Sequence, residues 1–436
     1  MTSRAELQSL RNVLGFLAAV AIAFGVFHGV RSLVVFGLTG VILALALWLY
    51  AGLVAASLRV VRELPSRAIE DQAVQVRLRL SNAWPVFAVA PSVEDFFKPD
   101  GSPHKEILAL PGLLGREAAK LSYRGLCYSG RGLFELDQLA VVGRDPLGLF
   151  ERRRRLELRQ TILVYPQAEE LFRSPWSGLN PARGLGQSST ESKGRSALTL
   201  GVREYRAGDP LRFIHWPTSA RRGRLVVREF DRPTLPRSAI FLALNPEEAR
   251  GLGRQSNLEL ALRSAATLSR YVLGQGELLE VFVQGAKDRH LSALSSPTQL
   301  SFVLEELALT RADFRAELWG LVDREASRLA KGTTQILIIP NSEGQGERIL
   351  EGCVRLQSLG YALVVVLIDA SQFPALRRRT RSPAAERAGV ITLVEKLLRL
   401  GISVGRLGPS GDITAAFERP LPPRIRVRPR RLEPQS

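Results

Sequence analysis

The residues able to do chemistry are concentrated in one run, GVREYRAGDPLRFIHWPTSARRGRLVVREFD, from Gly201 to Asp231. It interleaves Arg203, Arg212, Arg221 and Arg228 with Glu204, Asp209, Glu229 and Asp231, around a His215-Trp216 pair. Three chemistries fit. Guanidinium forks bind carboxylate or phosphate bidentately, so the arginines suit an anion site. His215 with Asp209 makes a general base and its orienter, but no nucleophile or metal-ligand set accompanies them. The third reading is a structural lock, in which Tyr205, Phe213, Ile214 and Trp216 pack inward and the arginines pair with the carboxylates. The residue types favour the lock, with a docking surface upon it. Locally, Asp209-Pro210 reads as the N-cap and first residue of a short helix LRFIHW, which Pro217 ends. RLVVREF then alternates as a strand.

Other catalytic patterns are missing. The four histidines, His28, His104, His215 and His290, are scattered, and no H-E-x-x-H or His/Cys cluster occurs. There is no G-x-S-x-G elbow and no phosphate-binding P-loop; GLGRQS at Gly251–Ser256 lacks the third glycine of a dinucleotide fingerprint. Cys127 and Cys353 stand alone, which suits unpaired thiols in a reducing compartment. The expectation is a protein that is not an enzyme and carries no cofactor.

The elements that must position this run begin with a membrane hairpin. Val13–Val30 and Leu33–Leu58 are apolar stretches near or above the roughly 20 residues that cross a bilayer. A cleaved signal peptide, with Ala19-Val20-Ala21 as its cleavage site, fits less well because a second apolar run follows at once. Trp48 and Tyr50 suit an interface. Arg4 and Arg11 precede the first span, Arg59, Arg62 and Arg67 follow the second, and only Arg31 lies between. Positive-inside bias puts both termini and the soluble domains in the cytoplasm of a two-span protein of the cell membrane.

The net charge is +18, and it is unevenly placed. Residues 1–237 hold 33 Lys/Arg against 21 Asp/Glu, residues 238–417 hold 21 against 19, and the last 19 residues hold 6 against 2. Either anionic lipid or nucleic acid would attract such a surface. A tethered body is already explained by lipid, so nucleic acid is the weaker reading.

Beyond the hairpin (residues 1–58), residues 59–166 show short alternating runs such as QAVQVRLRLSN between turn residues, the pattern of a small β-sandwich. Residues 167–200 read as a Gly/Ser/Pro-rich linker, 201–236 as the Arg-rich segment, and 419–436 as a basic, Pro-rich tail. Over 237–418 the period changes. SAIFLAL, ELLEVFVQG, QILIIP, YALVVVLID and ISVGRLG are continuous apolar strands separated by helical patterns, which predicts an α/β domain with a mostly parallel, Rossmann-like sheet.

The hairpin, the GRDPLGLF run at Gly143–Phe150 and the motif run together resemble the DUF58 family. The motif match falls on Arg203, Glu204, Tyr205, Gly208, Asp209, Arg212, His215, Trp216, Ser219, Ala220, Arg221, Gly223, Leu225, Val227, Arg228 and Glu229. The resemblance implies a von Willebrand factor A-like domain at the C-terminus and a MoxR-type AAA+ ATPase as partner, and no defined reaction. Such domains often hold Mg²⁺ through Asp-x-Ser-x-Ser after the first strand. Here Leu244, Asn245, Pro246, Glu247 and Glu248 occupy that place, and Asn341-Ser342 follow a later strand. The site reads as degenerate. The function expected is therefore a membrane-anchored scaffold for protein-complex or envelope assembly. A basic nucleic-acid- or anionic-lipid-binding membrane protein is the alternative, and a metal-dependent hydrolase using Asn245, Glu247 and Ser342 is a distant third.

Overall fold

The structure, a computed structural model, describes residues 4–102, 105–171, 199–206, 211, 214–230, 236–285, 288–313, 315–374, 382–409, 413 and 416. The chain divides into two compact units, Met1–Gln167 and Ala168–Ser436.

The first unit opens with helices α1 (Arg4–Phe27) and α2 (Arg31–Ser57). Their segments Ser9–Phe27 and Arg31–Ser57 are long and apolar enough to cross a membrane. The turn between them needs Gly29, whose φ is +68°. Small residues bring the two helices close: a Cβ on Gly37 would lie 2.5 Å from Ile22 and 2.8 Å from the Ala18 carbonyl. The second helix stops one residue short of the sequence expectation. Leu58 is already extended and begins β1 (Leu58–Glu63), so no linker separates α2 from the β structure.

Ten further strands follow: β2 (Arg67–Ile69), β3 (Ala73–Asn82), β4 (Ala88–Asp95), β5 (Glu106–Ala109) and β6 (Gly112–Leu113). Then come β7 (Ala118–Leu126), β8 (Gly132–Leu136), β9 (Leu139–Arg144), β10 (Glu151–Leu156) and β11 (Gln160–Tyr165). They form sheets of order β1-β3-β7, β10-β9-β4-β5 with β6 on β4, and β2-β11-β8. The alternation legible in β3 is realised: Val74, Val76, Leu78 and Leu80 are buried and their neighbours face out. They share one core with Leu58, Val93, Leu136, Val141 and Ile162 from the other strands. Within it lies a buried ion pair. Arg62 Nη1 donates to Asp95 Oδ1 at 2.7 Å, its Nε to Gln160 Oε1 at 2.9 Å, and Nη2 to the Leu136 carbonyl. The Tyr123 hydroxyl donates to Asp95 Oδ2 at 2.7 Å. Burial, helped by the Asp95 charge, pushes the Tyr123 phenol well above its ordinary range.

In the second unit, β12 (Thr199–Glu204) pairs antiparallel with β13 (Val226–Phe230), and helix α3 (Trp216–Arg222) lies between them in sequence. The remainder is an α/β body. Its strands are β14 (Arg237–Ala243), β15 (Leu278–Gln284), β16 (Arg289–Leu294), β17 (Thr334–Ile339), β18 (Ala362–Ile368) and β19 (Ser403–Leu407). Its helices are α4 (Asn257–Gly274), α5 (Leu300–Leu309), α6 (Leu318–Glu325), α7 (Gly346–Ser358) and α8 (Pro383–Arg399). The sheet order is β16-β15-β14-β17-β18-β19, parallel throughout except for β16, which pairs antiparallel at one edge. That edge strand, RHLSAL, is absent from the strands expected from the sequence.

Both sheet faces are covered, which is why the strands read as unbroken apolar runs. Phe241, Leu337, Ile339, Val365 and Leu367 pack on one face with Trp319 of α6, Ile349 and Cys353 of α7, and Leu397 of α8. Ile240, Leu242, Ile336 and Val364 are buried on the other, where α4 crosses the central strands.

Candidate functional site

Two places draw the chemistry-bearing residues together. The first is the β12–β13 hairpin with α3. The pairing register sets Gly201 opposite Glu229, Val202 opposite Arg228 and Arg203 opposite Val227. Ile214 bridges Val227, and the His215 amide donates to the Val226 carbonyl at 2.8 Å. His215 then caps α3: its Nδ1 accepts from the Thr218 amide at 3.3 Å. The Ser219 hydroxyl joins helix to strand, donating to the His215 carbonyl at 3.0 Å and accepting from the Val226 amide at 2.9 Å. Gly223 ends the helix at φ +64°, the left-handed cap a glycine supplies.

This geometry corrects two sequence expectations. The helix begins at Trp216 and runs to Arg222, so Pro217 sits in its first turn instead of ending an earlier helix. Proline is accepted there because the first-turn amides have no helical partner in any case. Trp216 does not pack inward: it is 64% exposed, while Ile214 is buried and Tyr205 half-buried. Arg221, Arg222 and Arg224 are exposed as well, and Arg224 pairs with Glu204. Gly208, Asp209, Arg212 and Phe213 lie outside the described residues, as do the side chains of Arg203, Arg228 and Glu229. With Nδ1 engaged in the cap, His215 has only Nε2 left for any acid–base role.

The second place is the carboxyl edge of the six-stranded sheet, where open α/β sheets hold their ligands. Asn245 follows β14 and its Oδ1 accepts from the Glu247 amide at 3.0 Å, capping a turn over Pro246–Glu248. Asn341 follows β17; its Oδ1 accepts from the Glu343 amide at 2.9 Å and its Nδ2 donates to the Glu248 carbonyl. Fully buried Asn257, at the start of α4, ties the loops together by donating to the Glu248 and Pro340 carbonyls at 2.9 Å each. Gln345 donates to Glu248 Oε1 at 2.9 Å, and Arg250 pairs with Glu343 at 2.8 Å. Burial raises the Glu248 carboxyl above its ordinary value, which Gln345 and Arg250 only partly oppose. A cavity of about 490 Å³ opens here, lined by Asn245, Glu247, Glu248, Asn341, Gln345 and Arg348 among others. Ser342 lines the neighbouring cavity of about 540 Å³, with Ser371 and Lys396. Among the described residues, no three His, Cys, Asp or Glu side chains are grouped to hold a metal ion.

Sequence reasoning missed Asn257, Gln345 and the Asp369–Arg406 pair. Asp369 is fully buried at the end of β18; Arg406 donates to its Oδ2 at 2.6 Å and Gln372 at 2.7 Å, and Ser371 donates to Oδ1. Burial alone would raise this carboxyl, but the hydrogen bonds from Ser371, Arg406 and Gln372 outweigh it and hold it below its ordinary value. The available signal was a carboxylate closing an all-apolar strand.

Residues 201–327 match the model of the family described as "Protein of unknown function DUF58". The chain is also 33% identical over 101 residues to the Uncharacterized protein YeaD of Bacillus subtilis (strain 168), a match spanning 23% of this chain and 25% of that protein. Among solved structures, the CARDB domain of a Pyrococcus furiosus protein aligns at 12% identity, with 24% of this chain, 86% of that chain and a TM-score of 0.18. A GH20 exo β-N-acetylglucosaminidase from Vibrio harveyi aligns at 10% identity, with 80% of this chain, 81% of that chain and a TM-score of 0.19. TM-scores this low establish no shared fold.

Proposed function

We propose, from the premise that the chain belongs to the DUF58 family, that it is a membrane-anchored, non-enzymatic scaffold. In this reading α1 and α2 span the cell membrane with both termini and the soluble domains cytoplasmic, and residues 59–166 form a small β-sandwich. The α/β body is then a degenerate von Willebrand factor A-like domain. Its support is the strand order of the six-stranded sheet, with a single antiparallel strand at one edge.

One observation carries the scaffold reading. At the sheet's carboxyl edge, Asn245 Oδ1, Asn341 Oδ1 and Glu248 Oε1 each accept a hydrogen bond from within the protein. Asn245, Asn257 and Asn341 bond the loop backbone, and Glu248 is held by Gln345. Neutral amides committed to holding loops suit a fixed surface better than a reaction centre. By the family resemblance, the partner is a MoxR-type AAA+ ATPase. Trp216, Arg221 and Arg222 form its docking surface: exposed Trp and Arg are the residue types that most often dominate interface energies. A pull-down with the detergent-solubilised full chain tests this. Recovery of such an ATPase, lost on Trp216→Ala with an unchanged unfolding midpoint, is the expected result; failure to recover any AAA+ ATPase would sink the reading.

A further inference from the structure

Helix α2 is longer than a bilayer requires. Its 20 residues from Arg31 through Tyr50 measure about 30 Å, the thickness of the hydrocarbon core. Residues 51–57 add about 10 Å more, and Ala51, Val54, Ala55 and Ser57 within them are buried against the β structure. The helix therefore leaves hydrocarbon near Trp48 and Tyr50, where amphipathic rings are favoured.

The β structure reaches down to that level. The Ala83 amide donates to the Ser57 carbonyl at 2.8 Å, and the Tyr50 hydroxyl donates to the Phe87 carbonyl. Residues 83–87 thus run back along about 10 Å of α2 toward the membrane. The segment 111–116, which holds β6 and the turn after it, lies beside them: a Cβ on Gly112 would come 2.7 Å from the Phe87 ring, and one on Gly115 2.6 Å from Pro85. Loop 145–150 arrives at the same height, because Arg11 of α1 stands 5.9 Å over the Phe150 ring and Arg152 stands 4.1 Å over Trp48. At the tips of these loops Trp84, Phe87, Leu114 and Leu147 are 41%, 47%, 61% and 60% exposed. Arg59, Arg116 and Arg152 are exposed among them.

We propose that this rim inserts into the headgroup layer of the bilayer. The apolar tips enter the acyl boundary, and Arg59, Arg116 and Arg152 take anionic phospholipid headgroups. The first unit is then seated in the membrane surface and not merely tethered to it. The inference rests on the reading of α1 and α2 as membrane spans.

Depth-resolved quenching tests it on the full chain in vesicles. Single cysteines at Leu114→Cys and Leu147→Cys carry an environment-sensitive fluorophore; the native Cys127 and Cys353 are buried. Phe36→Cys, exposed and about 8 Å along α2 from Arg31, reports the span. Gln75→Cys is the distant control: β3 pairs Asn82 with Leu58, and Gln75 lies roughly 24 Å further along the strand. Lipids spin-labelled at the headgroup should quench most emission at 114 and 147, lipids labelled on the acyl chain should quench 36, and neither should quench 75. Quenching at 36 with 114 and 147 behaving like 75 overturns the seated rim but leaves the spans. No quenching at 36 overturns both. Quenching at 147 should be stronger in phosphatidylglycerol than in phosphatidylcholine vesicles, and Arg116→Gln with Arg152→Gln should abolish the difference. Equal quenching in both lipids with the arginines intact overturns the headgroup assignment.

Discussion

The hydroxyl of Ser219 holds helix α3 against strand β13: it donates to the His215 carbonyl at 3.0 Å and accepts from the Val226 amide at 2.9 Å. The Arg-rich segment is therefore locked by a serine at its centre, while the tryptophan beside it faces outward.

Ser219→Ala should destabilise the second unit by about 1–3 kcal/mol, because the buried Val226 amide loses its acceptor. Trp216→Ala should change stability by less than about 0.5 kcal/mol, as an exposed substitution does. Chemical denaturation of both variants decides it. A larger loss for Trp216→Ala than for Ser219→Ala would show that the lock is aromatic after all.

Arg62→Ala should cost about 3–5 kcal/mol, since it strands the buried Asp95 carboxylate. Tyr123→Phe, which removes one of that carboxylate's donors, should cost about 1 kcal/mol. Urea unfolding of the full chain in detergent, followed by a probe within residues 59–166, gives both numbers. Equal effects would mean that the ion pair is solvated.

Gly143 of β9 is where α2 meets the β sheet: a Cβ there would lie 2.5 Å from the Ala55 nitrogen and 2.7 Å from the Ala51 carbonyl. Backbone cannot yield as a flexible side chain can, so Gly143→Ala should destabilise by about 1–3 kcal/mol through overpacking. It should also speed hydrogen exchange in α2 beyond Tyr50. Unchanged exchange there would argue that the helix and sheet part freely.

Asp369 and Glu248 should give opposite pH dependences. The folded pKa of Asp369 is lowered, so its contribution is present above the unfolded value of about 3.9 and is lost as pH falls through the folded value. Arg406→Leu removes one stabilising donor and should weaken that acid dependence. The folded pKa of Glu248 is raised, so its contribution is full below the unfolded value of about 4.3 and is lost as pH rises through the folded one. Glu248→Gln should then raise the neutral-pH midpoint relative to the parent chain. Melting curves from pH 3 to 8 report both; parallel curves for all three proteins would refute the assignment.

Millimolar Mg²⁺ should not shift the unfolding midpoint relative to chelator. Binding at a hundredfold excess over Kd would add about 2.7 kcal/mol, a rise of several degrees. Such a rise, lost on Asn245→Ala, would mean that the carboxyl edge binds a cation despite its committed amides.

The sequence by itself determined the elements whose signal is local and repeated. Period-2 alternation in β3, unbroken apolar runs in β14, β17 and β18, and two long apolar helices were all legible, because each buried face imposes its own spacing on consecutive residues. The missed edge strand, RHLSAL, begins with two polar residues and pairs on one side only, so its spacing carried a weak signal.

Tertiary structure decided the roles of residues within the motif. Whether Trp216 faced in or out depended on where the helix began, and that was fixed by the His215 cap and the Ser219 bridge to a strand residue seven positions later. The amide network of Asn257, Asn341 and Gln345 joins two loops far apart in the chain, and Gly143 matters only because a helix some 90 residues earlier rests on it. Contacts between distant segments leave no period in the sequence, so only the folded chain could show which polar residues hold loops and which face the solvent.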